Sequence, residues 1–307
     1  MGSSRSVSAT LHIARRKLTV TNLQKVLYPS GFTKGEVLDY YVRVSPVMLK
    51  YLRDRAVTLK RYPSGTIGAA KFFFEKNCPP HRPDWVVTKT VPGANGPGPN
   101  HCLINDAAAL VWAANLAALE LHVTMARASA PDRPTAIVFD LDPGPPAGLA
   151  ECLSLGLKLR DVLAALGLES FPKTSGGKGL HVYVPLNTGR ATFADTKRFA
   201  HAVAMVFERE NADRVTATMS KSVRGGKVFV DWSQNDNHKT TVCAYSLRAR
   251  DEPTVSTPLT WDEVAAADAK GRAASLVFRA PDVLERTDKL GDLFEPITTL
   301  KQKLPQL

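Results

Sequence analysis

Two aspartates separated by a single leucine close an apolar run, Ile137-Val138-Phe139-Asp140-Leu141-Asp142-Pro143-Gly144. Alternate residues of a strand share a face, so Asp140 and Asp142 converge on one spot while Leu141 points into the core. Pro143 and Gly144 then stop the strand. Like charges held this close repel unless something positive lies between them, and a divalent cation or a pair of them is the natural candidate. The bland alternative is a pair of solvated acids at a strand end. A second signal is Lys173-Thr174-Ser175-Gly176-Gly177-Lys178-Gly179-Leu180-His181, a glycine-rich turn running into an apolar strand. Glycines permit close backbone approach, and their exposed N–H groups can cradle phosphate oxygens. Ser175, Lys178 and His181 add hydroxyl, ammonium and imidazole donors. It is not a Walker A loop, because Lys178 is followed by glycine and a strand follows rather than a helix. A third segment, Lys221 to Trp232, ends the strand Val228-Phe229-Val230 on Asp231. With Asp140 and Asp142 it completes three carboxylates, enough to hold two catalytic metals beside nucleotide phosphates. Downstream, Thr240 to Arg250 brings Arg248 and Arg250 to the end of another expected strand.

These groups need elements to position them. Ala136 to Leu141 and His181 to Leu186 read as strands, and Leu149 to Leu166 and Phe193 to Glu208 as helices. Val228 to Trp232 and Thr240 to Arg248 read as paired strands. Thr33 with Glu36 three residues on is a capping box, and Val37, Tyr40, Tyr41, Val44 and Val47 keep helical spacing after it. Asn105 to Leu121 reads as one alanine-rich helix, Lys17 to Val20 as a short strand, and Pro92 to Asn100 as a loop. Interspersed strands and helices predict an α+β (mixed α/β) fold. One catalytic domain is expected over 15–295, with a flexible N-terminus at 1–14, a C-terminal tail at 296–307, and a peripheral, proline- and charge-rich stretch at 250–290.

The chain has 307 residues, 44% hydrophobic and 22% charged, the balance of a water-soluble globule with room for a sizeable core. No apolar run is long enough to span a bilayer. Cys78, Cys102, Cys152 and Cys243 are scattered with no C-x-x-C pair, so reduced thiols in a cytoplasm are expected. Cys78-Pro79-Pro80-His81 and His101-Cys102 hold zinc-ligand types, but the adjacent His101 and Cys102 are awkwardly spaced for one ion. The net charge is +11, and the first 250 residues carry 33 basic and 19 acidic side chains. Such a basic body favours polyanions, above all nucleic acid.

Taken together, Asp140-x-Asp142, Ser175-Gly176-Gly177-Lys178-Gly179-Leu180-His181, Val228-Phe229-Val230-Asp231-Trp232 and Tyr245-Ser246-Leu247-Arg248 resemble the archaeo-eukaryotic primase superfamily, and more narrowly the polymerase domain of bacterial LigD, the ligase of non-homologous end joining. Asn22-Leu23-Gln24-Lys25-Val26-Leu27-Tyr28-Pro29, Phe73-Phe74-Glu75-Lys76 and Leu119-Glu120-Leu121-His122-Val123 extend the resemblance over about residues 15–295. It implies a primase-like core of antiparallel or mixed sheets flanked by helices. It implies a template-directed polymerase that adds ribonucleotides in preference to deoxyribonucleotides at gaps and break ends. Asp140, Asp142 and Asp231 are the implied ligands of two ions, Mn²⁺ or Mg²⁺. His122, Ser175, Gly176, Lys178, His181, Arg224, Gln234 and Arg248 are the implied nucleotide contacts for NTP or dNTP, His122 lying by the sugar. Asn22, Lys25 and Lys34 match positions that grip a 5′-phosphate, and Lys60, Arg61, Phe73 and Phe74 match template contacts. Phe72 extends the aromatic run, so which ring meets the template stays open. Implied partners are gapped or broken DNA, Ku, and ligase and phosphoesterase modules, with no membrane; no ligase lysine motif or phosphoesterase module is evident here. The implied location is the bacterial cytoplasm, at the nucleoid. A stand-alone primase-polymerase of another repair pathway and an inactive end-binding scaffold are the alternatives. A haloacid-dehalogenase-like phosphatase also uses Asp-x-Asp, but Pro143-Gly144-Pro145-Pro146 lacks the Thr or Val that chemistry needs.

Overall fold

The computed structural model describes residues 8–68, 71–92 and 96–305. Two sheets carry the architecture. The first has five strands in the order Phe171–Thr174, Leu180–Pro185, Ala136–Pro143, Val228–Asp231, Val215–Thr216. All its pairings are antiparallel except the last. The second runs Thr241–Val242, Ala118–Val123, Ala56–Arg61, Asn100–Leu103, Thr88–Thr90, with Phe73–Glu75 also paired to Ala56–Arg61. The expected α+β class is what forms.

The strand Ala136–Pro143 explains how the acids come to face open space. Ile137, Phe139 and Leu141 are fully buried in a core shared with the helices Leu149–Ala165 and Phe193–Glu210. On the opposite face Ala136 and Val138 enter a second core, which joins this sheet to the six-stranded one. Asp140 and Asp142 continue that face beyond the point where the two sheets separate. The apolar run is therefore buried on both faces at its start and on one face at its end.

The helix Lys34–Leu52 starts at the expected capping box, with Thr33 Oγ1 accepting from Glu36 N–H and the Glu36 carboxylate accepting from Thr33 N–H. The alanine-rich segment departs from expectation. Its helix is only Ala107–Asn115; the backbone turns at Ala117, which has φ +58°, and Ala118–Val123 is a strand. An all-apolar helix lacks the 3.6-residue polar break that marks its end, whereas Leu119-Glu120-Leu121-His122 already alternates. Val228–Asp231 pairs with Ala136–Pro143, and Thr241–Val242 with Ala118–Val123, so these two strands lie in different sheets rather than beside one another.

Both expected termini are shorter than the sequence suggested. Ser8–Ile13 pairs antiparallel with Arg16–Thr21, so only 1–7 of the expected flexible 1–14 falls outside the described residues. At the other end Ile297 is buried, and Gln302 donates to the carbonyls of Glu169 and Pro185, docking the tail on the five-stranded sheet. Residues 93–95 of the expected loop also lie outside the described residues. The stretch expected to be peripheral is anchored by buried Thr254, Val255, Ser256 and Thr257, which line the edge strand Phe171–Thr174.

Cys78 and Cys102 form a disulfide, with Cα atoms 4.8 Å apart. This corrects the expectation of four reduced thiols and closes the zinc alternative, since His101 is buried with Nδ1 3.2 Å from the Val57 carbonyl. Cys152 and Cys243 are buried free thiols.

Candidate active site

The register of the five-stranded sheet assembles the acids. Asp140 lies opposite His181 on one side and opposite Asp231 on the other, and Asp142 follows on the same face. Directly paired residues in a sheet lie within about 5.5 Å at Cα, so three chemically active groups from three chain segments form one row. Across from them the second sheet presents Glu120 and His122. The space between is a cleft of about 290 Å³ lined by His122, Asp140, Asp142, Ser175, Lys178 and Arg248, with His181, Gln234 and Arg250 also on its wall.

Each acid has a different neighbour. Asp140 Oδ1 is 3.3 Å from His181 Nε2. Asp142 Oδ2 is 3.5 Å from an Arg224 guanidinium nitrogen. Asp231 Oδ1 accepts from the N–H and hydroxyl of Ser233, and Oδ2 accepts from Gln234 Nε2 at 2.8 Å. Among the described residues no three His, Cys, Asp or Glu side chains are drawn into a metal cage. The donor chemistry nevertheless fits a hard divalent cation, since the groups are carboxylate oxygens. The charge state points the same way. Burial, then Asp231, then Asp142 push the Asp140 carboxyl up to about 7, so the cluster is short of positive charge. Asp140, Asp142 and Asp231 are the residues that would hold such ions.

The glycine turn is built differently from expectation. Ser175 Oγ accepts from the N–H groups of Gly177 and Gly179, both at 3.1 Å. Those two N–H groups are therefore spent inside the loop and do not form a phosphate cradle. What the turn offers the cleft is Lys178 and the hydroxyl proton of Ser175, with the Arg248 guanidinium tied to the Ser175 carbonyl. Gly176 takes φ +66°, the left-handed region that favours glycine. At Gly179 a Cβ would lie 2.2 Å from the Leu141 carbonyl oxygen, so glycine lets the turn press against the aspartate strand.

Other expected contacts are placed as follows. Arg224 stacks on Phe229 at 3.7 Å and pairs Asp142, while Gln234 both lines the cleft and holds Asp231. Lys60 pairs Glu120 at 3.2 Å, and Arg61 pairs Glu75 at 2.9 Å. As template-backbone contacts both are thus already committed to carboxylates. Phe72, Phe73 and Phe74 are 50%, 43% and 53% exposed, which removes core packing as their explanation. Phe72 stacks on Tyr62, and Phe74 meets His122 edge-on at 5.9 Å, so the aromatic shelf borders the cleft. Asn22, Lys25 and Lys34 gather apart from the acids. Asn22 takes φ +56° and its carbonyl accepts from Lys25 N–H, while Lys34 N–H donates to the Lys25 carbonyl. Lys25 Nζ donates to the Pro63 carbonyl, and Lys34 Nζ lies 3.5 Å from Thr21 Oγ1. Burial first, and the neighbouring Lys25 charge second, lower Lys34 to about 8.

Three residues at the site had no assigned role in the sequence. Glu120, 2% exposed, pairs Lys60, His122 and Arg248. Lys173, fully buried beside His181 in the register, donates to Ser256 Oγ at 2.6 Å, and burial lowers it to about 7. Arg250 lines the cleft wall. Glu120 and Lys173 lay inside segments the sequence singled out and Arg250 was noted as a strand-end cation, but no local pattern gave any of the three a role.

A carboxylate row on an antiparallel sheet, beside a cationic turn and with an aromatic shelf bordering the same cleft, is the arrangement of a nucleotidyltransferase of the primase-polymerase type. The comparisons with known proteins are specific about which. The family described as LigD, primase-polymerase domain, matches residues 33–294. The multifunctional non-homologous end joining protein LigD of Mycolicibacterium smegmatis is 41% identical over 92% of this chain, and the bifunctional LigD of Bacillus subtilis is 32% identical over 90%. The polymerase domain of Mycobacterium tuberculosis Ligase D, solved in complex with DNA, superposes with TM-score 0.84 at 39% identity, covering 93% of this chain and 99% of that one. The chain belongs to the LigD primase-polymerase family. It spans 36% of the M. smegmatis relative and 43% of the B. subtilis one.

Proposed function

We propose that this chain is a template-directed polymerase that adds nucleotides, preferentially ribonucleotides, to 3′ ends at gaps and double-strand breaks during non-homologous end joining. The observation that carries the reading is one cleft lined by Asp140 and Asp142 together with the cations Lys178, Arg248 and Arg250, with Asp231 paired directly to Asp140 in the sheet register. Triphosphate chemistry needs both. Lys178 and Arg248 bind the anionic tail, and the acids sit where a primer 3′-oxygen attacks the α-phosphorus, forming one phosphodiester bond and releasing pyrophosphate while the hydroxyl proton passes to solvent. Two divalent ions, Mn²⁺ or Mg²⁺, would be held by Asp140, Asp142 and Asp231 and, when bound, supply the charge that aligns the phosphates. The exposed phenylalanines offer stacking faces for template bases, a contact indifferent to sequence. Lys25, Lys34 and Asn22 suit a terminal 5′-phosphate across the gap. DNA, nucleoside triphosphates, Ku, and ligase and phosphoesterase activities are the partners this reading implies, acting at the nucleoid. No helix among the described residues is long and apolar enough to cross a membrane.

The test is primer extension on a gapped duplex with manganese, comparing ribo- with deoxyribonucleotides and a downstream 5′-phosphate with a 5′-hydroxyl. Preference for ribonucleotides by about tenfold, the worth of one buried hydroxyl partner, and for the phosphorylated gap is expected. Equal efficiencies in both comparisons would overturn the end-joining reading, and no incorporation at all would overturn the polymerase.

A further inference from the structure

The carboxylate of Glu120 is the hub of the cleft's second wall. Oε1 is 3.2 Å from Lys60 Nζ and accepts from the Ala249 N–H at 3.1 Å; Oε2 is 2.9 Å from His122 Nε2 and 3.3 Å from Arg248 Nε. Glu120 is 2% exposed, so this is a buried anion compensated by the Lys60 and Arg248 side chains and a backbone donor. Burial alone would favour its neutral form; the hydrogen bond from His122 and the charges of Arg248 and Lys60 outweigh that and hold it well below the usual carboxylate range. An ionised carboxylate only accepts hydrogen bonds, so the nitrogen facing it, Nε2, must carry the ring's proton. Burial lowers His122 against the pull of Glu120, which keeps the ring neutral at neutral pH. A neutral ring with its proton on Nε2 has Nδ1 as a lone-pair acceptor, the complement of a hydroxyl donor.

We propose that Glu120 is a positioning residue that fixes His122 in the Nε2–H tautomer, so that Nδ1 accepts a hydrogen bond from the 2′-hydroxyl of an incoming ribonucleotide. This rests on the reading of the cleft as a nucleotide site with His122 by the sugar. The same carboxylate lies 3.3 Å from Nε of Arg248, which bridges to the Ser175 carbonyl, and so sets the sugar contact beside the triphosphate contact. A deoxyribonucleotide offers no donor at that position and leaves Nδ1 unpartnered. Without Glu120 the tautomer is no longer dictated. A buried ion cluster that served stability alone would need neither consequence.

The experiment pairs Glu120→Gln with a spectroscopic readout of the wild type. Steady-state kinetics on a gapped duplex with manganese should give a ratio of ribo to deoxy kcat/KM that falls about fivefold or more in Glu120→Gln, the worth of one hydrogen bond. The loss should come through KM for the ribonucleotide. Nitrogen-detected NMR of the wild-type His122 ring should show the Nε2–H tautomer. This second measurement decides the matter even if Glu120→Gln does not fold. A folded Glu120→Gln with an unaltered ratio overturns the proposal, as does a wild-type ring protonated on Nδ1. A wild type that fails to discriminate ribose overturns the underlying reading of the sugar site instead, while the tautomer still tests the assignment of Glu120.

Discussion

At Asp140 the fold holds a carboxyl against its preference. Its raised value means the folded protein binds a proton that the unfolded chain releases. Stability is therefore complete below the ordinary aspartate range and falls as pH rises through about 7. Asp140→Asn removes the charge without removing the shape. In the presence of a chelator the variant should unfold later than wild type near pH 8, by about 1–2 kcal/mol given that Asp140 is partly solvated, and the gap should shrink near pH 5. Thermal unfolding at both pH values checks this; a variant less stable than wild type at the higher pH contradicts it. Asp140→Ala or Asp142→Ala should abolish nucleotide addition while gapped-duplex binding persists, because phosphate contacts elsewhere supply affinity. Extension and gel-shift assays on the same preparations separate the two effects. At this scale the sequence was most legible where residue type alone carries the chemistry. Asp140 and Asp142 share a face because strand alternation dictates it, and Asp231 was legible as an acid closing an apolar strand. Glu120 and Lys173 were hidden because their meaning comes from partners far away in the chain, Arg248 and Ser256.

Elements decide which of those groups can meet. The glycine turn is locked to the aspartate strand at Gly179, where even a methyl group would collide with the Leu141 carbonyl. Gly179→Ala should destabilise the protein by about 1–3 kcal/mol, the usual cost of overpacking, and weaken nucleotide binding together with stability. Chemical denaturation and nucleotide titration check both effects, and unchanged stability would mean that the contact yields freely. The cluster of Asn22, Lys25 and Lys34 between the N-terminal hairpin and the start of the helix Lys34–Leu52 makes a second, independent prediction. Lys34 is charged below about 8 and neutral above it. The preference for a 5′-phosphate over a 5′-hydroxyl should therefore fade as pH rises past that value, and Lys25→Ala with Lys34→Ala should abolish it without affecting open primer–template. Competition binding at two pH values and one salt concentration is the check, and a preference retained in the double variant would return these lysines to the general basic surface. Helices with polar breaks and capping boxes were readable within a residue or two. The segment Ala107–Val123 was not, because an all-apolar stretch reads alike as buried helix and buried strand.

Across the whole molecule the two sheets divide the work. The five-stranded sheet, backed by helices, carries the acids, and the six-stranded sheet carries Glu120, His122 and the aromatic shelf to face them. The fold class was legible from interspersed periodicities, but the partition of strands between sheets was not. That partition is fixed by long-range pairing, such as Asp140 with Asp231 and Val242 with His122, which no local pattern encodes. The surplus of 14 positive charges on the first 250 residues belongs to this scale too, and under the proposed function it predicts that affinity for DNA falls steeply with salt. The central claim is that the carboxylate row performs metal-dependent, template-directed nucleotide addition. The measurement that tests it most directly is single-nucleotide extension of a primer in a phosphorylated gap, with each of the four template bases in turn, with manganese and with a chelator. The account predicts incorporation of the complementary nucleotide in manganese and none in chelator. Incorporation that ignores the template base, or that persists at full rate with the metal removed, would contradict it.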